Sequence, residues 1–262
     1  MQFKTLLFDV QDSVAHITLN RPEAANAINL ELAKELMYAV MQCDEDPLIR
    51  AVLITGAGPM FCGGGDLKSF ADQGENLPHH LKEITIHLHA AMSCLVRMDP
   101  PAVAAVHGSA AGAGLSLVCA CDMALAAESA RFTMAYTRAG LTPDGGSTYT
   151  LTRLVGLKRT LEMALANRLL SAEEALDWGI LTRVVPEKDL ITEAKALADR
   201  LAEGPTKAFG ATKRLLQSGL TESFEAQMKN ESRSISEMAR TADGREGISA
   251  FLGKRTPNFK GQ

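Results

Sequence analysis

An α/β fold with strands paired in parallel through helical crossovers is what this sequence predicts, and three observations lead there. Short apolar, β-rich runs alternate with longer amphipathic segments over the first half of the chain. The runs within that alternation are almost wholly apolar, as strands covered on both faces are. After about Gly156 the strand signal fades and helical patterns continue to the end, apart from a short Leu181–Val185 run.

Element by element, the chain opens as a hairpin. Phe3 to Val10 and Val14 to Leu19 are β-rich, Gln11-Asp12-Ser13 parts them, and Asn20-Arg21-Pro22 ends the second. Asn29 then stands as an N-cap before a helix reaching about Met41, with Leu30, Ala33, Leu36, Met37 and Val40 on one face. A buried strand, Arg50 to Thr55, ends in Gly56-Ala-Gly58-Pro59. The cycle repeats with a helix from Pro78 to Met98, a strand from Ala102 to Val106, a helix after Gly114 and a strand from Met123 to Ala127. Ser171-Ala-Glu-Glu174 has the spacing of a capping box, and Glu203-Gly-Pro205 separates the last helices. No linker or repeat marks a second independent domain. The expected organisation is a core over residues 1–200 and a helical region over 201–262.

Composition narrows the function classes. The 262 residues carry a formal net charge of -4, which gives no electrostatic footprint for nucleic acid. Five cysteines without CxxC spacing, and an N-terminus without a leader pattern, fit a reducing cytoplasm. Ala102 to Cys121 lacks charge and contains a GxxxG spacing, as a membrane span would. His107-Gly108 interrupts it and Asp122 closes it, so a buried strand, a glycine turn and a buried helix are expected instead.

Two segments carry the chemistry: Phe61-Cys-Gly-Gly-Gly65-Asp66-Leu67 and His107-Gly108-Ser-Ala-Ala-Gly112-Ala113-Gly114. Each follows a strand and precedes a helical pattern. Glycine lets a ligand approach the main chain, and the N–H groups at a helix start lack internal acceptors. Two such turns side by side can aim two donors at one oxygen, as an oxyanion hole does. Taken singly, each turn reads first as a tight turn that allows close packing. Neither contains GxGxxG or GxxxxGK[ST], so dinucleotide and P-loop readings lack support.

These segments, together with Asn20-Arg-Pro22, Asn26-Ala27-Ile28, Gly140-Leu-Thr-Pro-Asp-Gly-Gly146 and the ending Phe251-Leu-Gly-Lys-Arg255-Thr-Pro-Asn-Phe259, resemble the crotonase (enoyl-CoA hydratase/isomerase) superfamily along the whole chain. The resemblance implies a crotonase-like spiral of ββα turns with a C-terminal helical trimerisation region, as a homotrimer or a dimer of trimers. It implies an acyl-CoA thioester substrate, with coenzyme A entering as part of the substrate and no metal or redox cofactor. By position, Gly65 and Ala113 are the oxyanion donors. Arg21, Ala24, Gly63, Asp66 and Leu67 fall along the coenzyme path, and Phe251 and Lys254 reach a neighbouring subunit's coenzyme.

The two glutamates of the family's hydratases correspond to Ser116 and Tyr136 here, neither a carboxylate. Asp144 instead falls where the isomerase and dehalogenase branches place a functional aspartate, and its surroundings are most similar to the phenylacetate-pathway ring isomerases. One carboxylate suits an allylic proton shift. An isomerase is therefore expected. The alternatives are a hydratase, a hydrolase or dehalogenase with Asp144 as nucleophile, and a silent acyl-CoA-binding subunit. Asp144 and Asp66 can each also be read as helix caps. His79, His80, His87 and His89 are expected at the surface or rim, not as metal ligands, and Cys62 has no base placed beside it by sequence.

Overall fold

A computed structural model describes residues 3–262. Met1 and Gln2, on which the expectation about a leader pattern partly falls, lie outside the described residues. The hairpin is present as β1 (Leu6–Gln11) and β2 (Val14–Leu19), antiparallel with Leu6 opposite Leu19. Asp12 and Ser13 turn it with φ of 50° and 65°. The sheet grows through β3 (Ala51–Gly56), β4 (Ala102–Val106), β6 (Met123–Ala127) and β9 (Arg183–Val185), each parallel to its neighbour, in the order β1-β2-β3-β4-β6-β9.

Both faces of this sheet are covered. Val52, Ile54, Ala104, Val106, Ala124 and Ala126 join one apolar cluster with α1 (Leu30–Glu45), α3 (Leu77–Arg97) and α4 (Ala113–Ala120). The alternate positions, Ala51, Leu53, Val103, Ala105, Leu125 and Ala127, pack with Leu190, Ala194, Ala198 and Ala202 of α8 (Leu190–Ala202). Period-two alternation therefore divides an all-apolar strand between two cores, which is why the sequence shows no polar face. Asn29 caps α1 by accepting from the Leu32 N–H at 2.9 Å, and Ser171 and Glu174 close the expected capping box at α7 (Ala172–Asp177).

A second, smaller sheet was not expected. It pairs β5 (Ser109–Ala111) in parallel with β7 (Arg131–Thr133), and β7 antiparallel with β8 (Leu170–Ser171). Part of what reads as a glycine turn is thus strand. These strands are two or three residues long, too short to display a period. The remaining helices are α2 (Leu67–Ala71), α5 (Ser147–Val155), α6 (Leu157–Leu165), α9 (Thr206–Ser218), α10 (Phe224–Met238) and α11 (Ala242–Leu252). No helix among the described residues is long and apolar enough to cross a membrane.

Candidate active site

An isolated bridge to β5 brings the two glycine turns together. Cys62 bridges Ala110 in parallel: its N–H donates to the Ser109 carbonyl at 3.1 Å, and its carbonyl accepts from Ala111 at 3.0 Å. Further along, Ile28 bridges Gly65, donating to the Gly64 carbonyl at 2.7 Å and accepting from the Asp66 N–H at 3.0 Å. In that pairing the N–H of Gly65 itself points away from Ile28. A Cβ built on Gly64 would lie 3.0 Å from the Ala111 carbonyl oxygen and 3.5 Å from the Gly112 Cα, so the turns touch main chain to main chain. Gly112, at φ 51° and ψ -123°, then leads directly into α4.

All eight residues of α4 are buried, and its first residue, Ala113, shares a cavity of about 260 Å³ with Gly65. Among the described residues, neither the Gly65 nor the Ala113 N–H donates to a protein acceptor. The Ala113 amide also stands at the positive end of the helix. Gly63, Gly64, Gly112 and Leu67 complete this end of the cavity, while Ile28, Phe70, Leu81, Ile84 and Leu88 form an apolar wall.

Asp144 lines the same cavity and is the one carboxylate among its described lining residues. Its backbone is fastened firmly. The Asp144 carbonyl accepts from Ser116 Oγ at 3.0 Å, Ser147 Oγ at 2.9 Å and the Ser147 N–H at 3.2 Å. The next N–H, that of Gly145, donates to His89 Nε2 at 3.1 Å. The carboxylate receives the Tyr136 hydroxyl on Oδ1 at 2.6 Å, whereas Oδ2 has no protein donor among the described residues. Burial, then the adjoining Asp144 charge and hydrogen bond, push the Tyr136 phenol well above its usual range, so it acts here as a donor.

The capping alternative for Asp144 is overturned. The residue before α5 is Gly146, no side chain caps that helix, and the Asp144 carbonyl does the anchoring. Asp66 does cap: Oδ1 accepts from the Ser69 N–H at 3.0 Å, and Oδ2 pairs with Arg21 at 2.9 Å. The Arg21 guanidinium is bound further to the Ala27 carbonyl. Buried Asn26 holds this corner by accepting from the Arg21 N–H at 2.8 Å and donating to the Ala57 and Met60 carbonyls at 2.8 and 2.7 Å.

Of the residues singled out in the sequence, Gly63, Gly65, Leu67, Ala113 and Asp144 meet at one cavity. Arg21, Ala24 and Asp66 do not line it; Arg21 and Ala24 belong to the segment held against the first turn where the Gly63 N–H donates to the Ala25 carbonyl at 2.8 Å. Phe251, on α11, and Lys254 are exposed and do not line the cavity. Cys62 is buried, its thiol donates to the Asn26 carbonyl, and burial pushes it up to about 11, which removes it as a nucleophile. The parts that sequence reasoning missed are the anchors Ser116 and His89. Their partners are backbone atoms 28 and 56 residues away, and no spacing rule signals such bonds.

Residues 9–262 match the family model described as enoyl-CoA hydratase/isomerase. A Rhodobacter capsulatus protein named "Probable enoyl-CoA hydratase" is 41% identical over 263 residues, covering 100% of both chains. The 1,2-epoxyphenylacetyl-CoA isomerase of Escherichia coli K12 is 39% identical over 259 residues, 98% of each. The crystal structure of an enoyl-CoA hydratase from Polaromonas sp. JS666 agrees with a TM-score of 0.92 at 32% identity, covering 97% of this chain and 99% of that one. The two glycine turns, the bridge that joins them and these full-length likenesses make the chain a member of the enoyl-CoA hydratase/isomerase family, with the crotonase fold.

Proposed function

We propose that the chain is an enoyl-CoA isomerase that moves a double bond, or rearranges a ring, next to an acyl-CoA thioester. The observation that carries this reading is the single cavity carboxylate with one oxygen engaged and the other free. Asp144 Oδ2 takes a proton from C2 or C4, and the electron pair left behind delocalises onto the thioester oxygen. The N–H groups of Gly65 and Ala113 stabilise that charge, each contributing about 3 kcal/mol. The same proton returns from Asp144 to the other end of the conjugated system, so no water is consumed and the carboxylate is regenerated.

Within this reading the coenzyme runs past Gly63, Leu67 and Ala24. Arg21 and Asp66 are bound to each other and so shape the path more than they grip a phosphate. Phe251 and Lys254 act on a neighbouring subunit's site in a homotrimer or dimer of trimers. The exposed Phe224, Ile235, Phe251 and Leu252 of the last two helices support such an assembly.

Hydration is the second reading, favoured by the name of the Rhodobacter relative. It asks for a second acid or base beside the water, and among the described residues the only other titratable side chain lining the cavity is Tyr136. Incubation with trans-3-hexenoyl-CoA and with crotonyl-CoA separates the two. Isomerisation gives trans-2-hexenoyl-CoA and leaves crotonyl-CoA unchanged, while rapid formation of 3-hydroxybutyryl-CoA overturns the proposal.

A further inference from the structure

We infer that His89 is a positioning residue for Asp144, holding the peptide between residues 144 and 145 from the side of α3; this rests on the acid/base reading of Asp144. A peptide plane is fixed when both its polar ends are held. Here the carbonyl end is held by Ser116 and Ser147, and the N–H end by His89 Nε2 at 3.1 Å. Without His89 the plane keeps its carbonyl anchors but loses the restraint on rotation about them, and the carboxylate swings with it.

The bond also defines the chemistry of the ring. Gly145 supplies the proton, so Nε2 must be the unprotonated nitrogen and Nδ1 carries the hydrogen. His89 follows Leu88 on the helix whose Leu81, Ile84, Thr85 and Leu88 line the cavity. The wall that meets the acyl group and the loop that carries the base are thereby tied by one hydrogen bond. A ring that only packs has no need of this acceptor, and His89 is itself exposed, so its removal leaves the core intact.

The test uses the full chain with trans-3-hexenoyl-CoA and two variants. His89→Ala is expected to lower kcat about tenfold, the kinetic equivalent of one neutral hydrogen bond, with KM changed by less than about twofold. His89→Gln, which retains an acceptor, is expected to recover most of the loss. Nitrogen-15 spectra of the ring are expected to show the Nδ1-protonated tautomer. A His89→Ala variant with parental kcat, equal losses in Ala and Gln, or an Nε2-protonated ring overturns the inference. Asp144→Asn, run alongside, separates the two ideas. If it stays active, the acid/base reading fails and the His89 role falls with it. An inactive Asp144→Asn beside a fully active His89→Ala overturns the positioning role alone.

Discussion

Asp66 and Asp144 both adjoin a run of glycines, and both stand just before a helix. The structure treats them in opposite ways. Asp66 turns its carboxylate inward to its own main chain, capping α2 and pairing with Arg21, with both side chains mostly covered. Asp144 leaves the anchoring to its carbonyl, and its carboxylate is free to face the cavity with only Tyr136 attached. A carboxylate whose oxygens are both committed holds structure together. One with an oxygen to spare can handle a proton. The difference lies in which atoms the neighbours occupy, not in the residue type.

Five substitutions break or sharpen that contrast. Asp144→Asn keeps the shape and removes the proposed base, so trans-3-hexenoyl-CoA isomerisation should fall on the order of a thousandfold while acyl-CoA binding, measured by calorimetry, persists. Gly145→Ala should come next. Its φ is 62°, and an added Cβ would meet the Ser116 Cβ at 2.8 Å, so Asp144 shifts and kcat drops about a hundredfold. Gly146→Ala, with open space around the new methyl, provides the control for left-handed strain alone. Tyr136→Phe removes the donor to Oδ1 and should lower kcat about tenfold, read in the same assay.

Asp66→Ala has the smallest expected effect and appears first in stability. Loss of the cap and of a mostly covered ion pair should cost about 2 kcal/mol, seen as a lower thermal midpoint. Burial raises the Asp66 carboxyl, but the Ser69 N–H and Arg21 outweigh it and hold it below its ordinary 3.8. A depressed carboxyl stabilises the fold above its unfolded value and loses that contribution as pH falls through the folded one. The wild-type and Asp66→Ala midpoints should therefore converge in acid below pH 3.8. A constant gap across that range would remove charge from the explanation.

Much of the fold was readable wherever a run of residues repeats one physical requirement. β4 and β6 fall on their expected residues because strands buried on both faces leave uninterrupted apolar stretches. The caps at Asn29 and Ser171 were readable because a cap is a local bond. The strands of the small sheet were not, since Ser109-Ala-Ala111 and Leu170-Ser171 contain too few positions for any period. At the candidate site, the shared cavity of Gly65, Ala113 and Asp144 was anticipated from the turns and the family resemblance. The links from Ser116 to Tyr136 and Asp144, and from Gly145 to His89, join helices, turns and loops through single contacts that leave no trace in composition.

The contact between Gly64 and Gly112 has a consequence for how such a site can change over time. Two bare main chains pressed together fix the spacing of the amides beside them without help from any side chain. Positions 136 and 144 hang on other segments, and position 116 stands a turn into the helix that Ala113 begins, so side chains there can be exchanged while the main-chain contact between the turns remains. A scaffold arranged this way can trade one acid or base for another beside the two amides without rebuilding the turns that hold them.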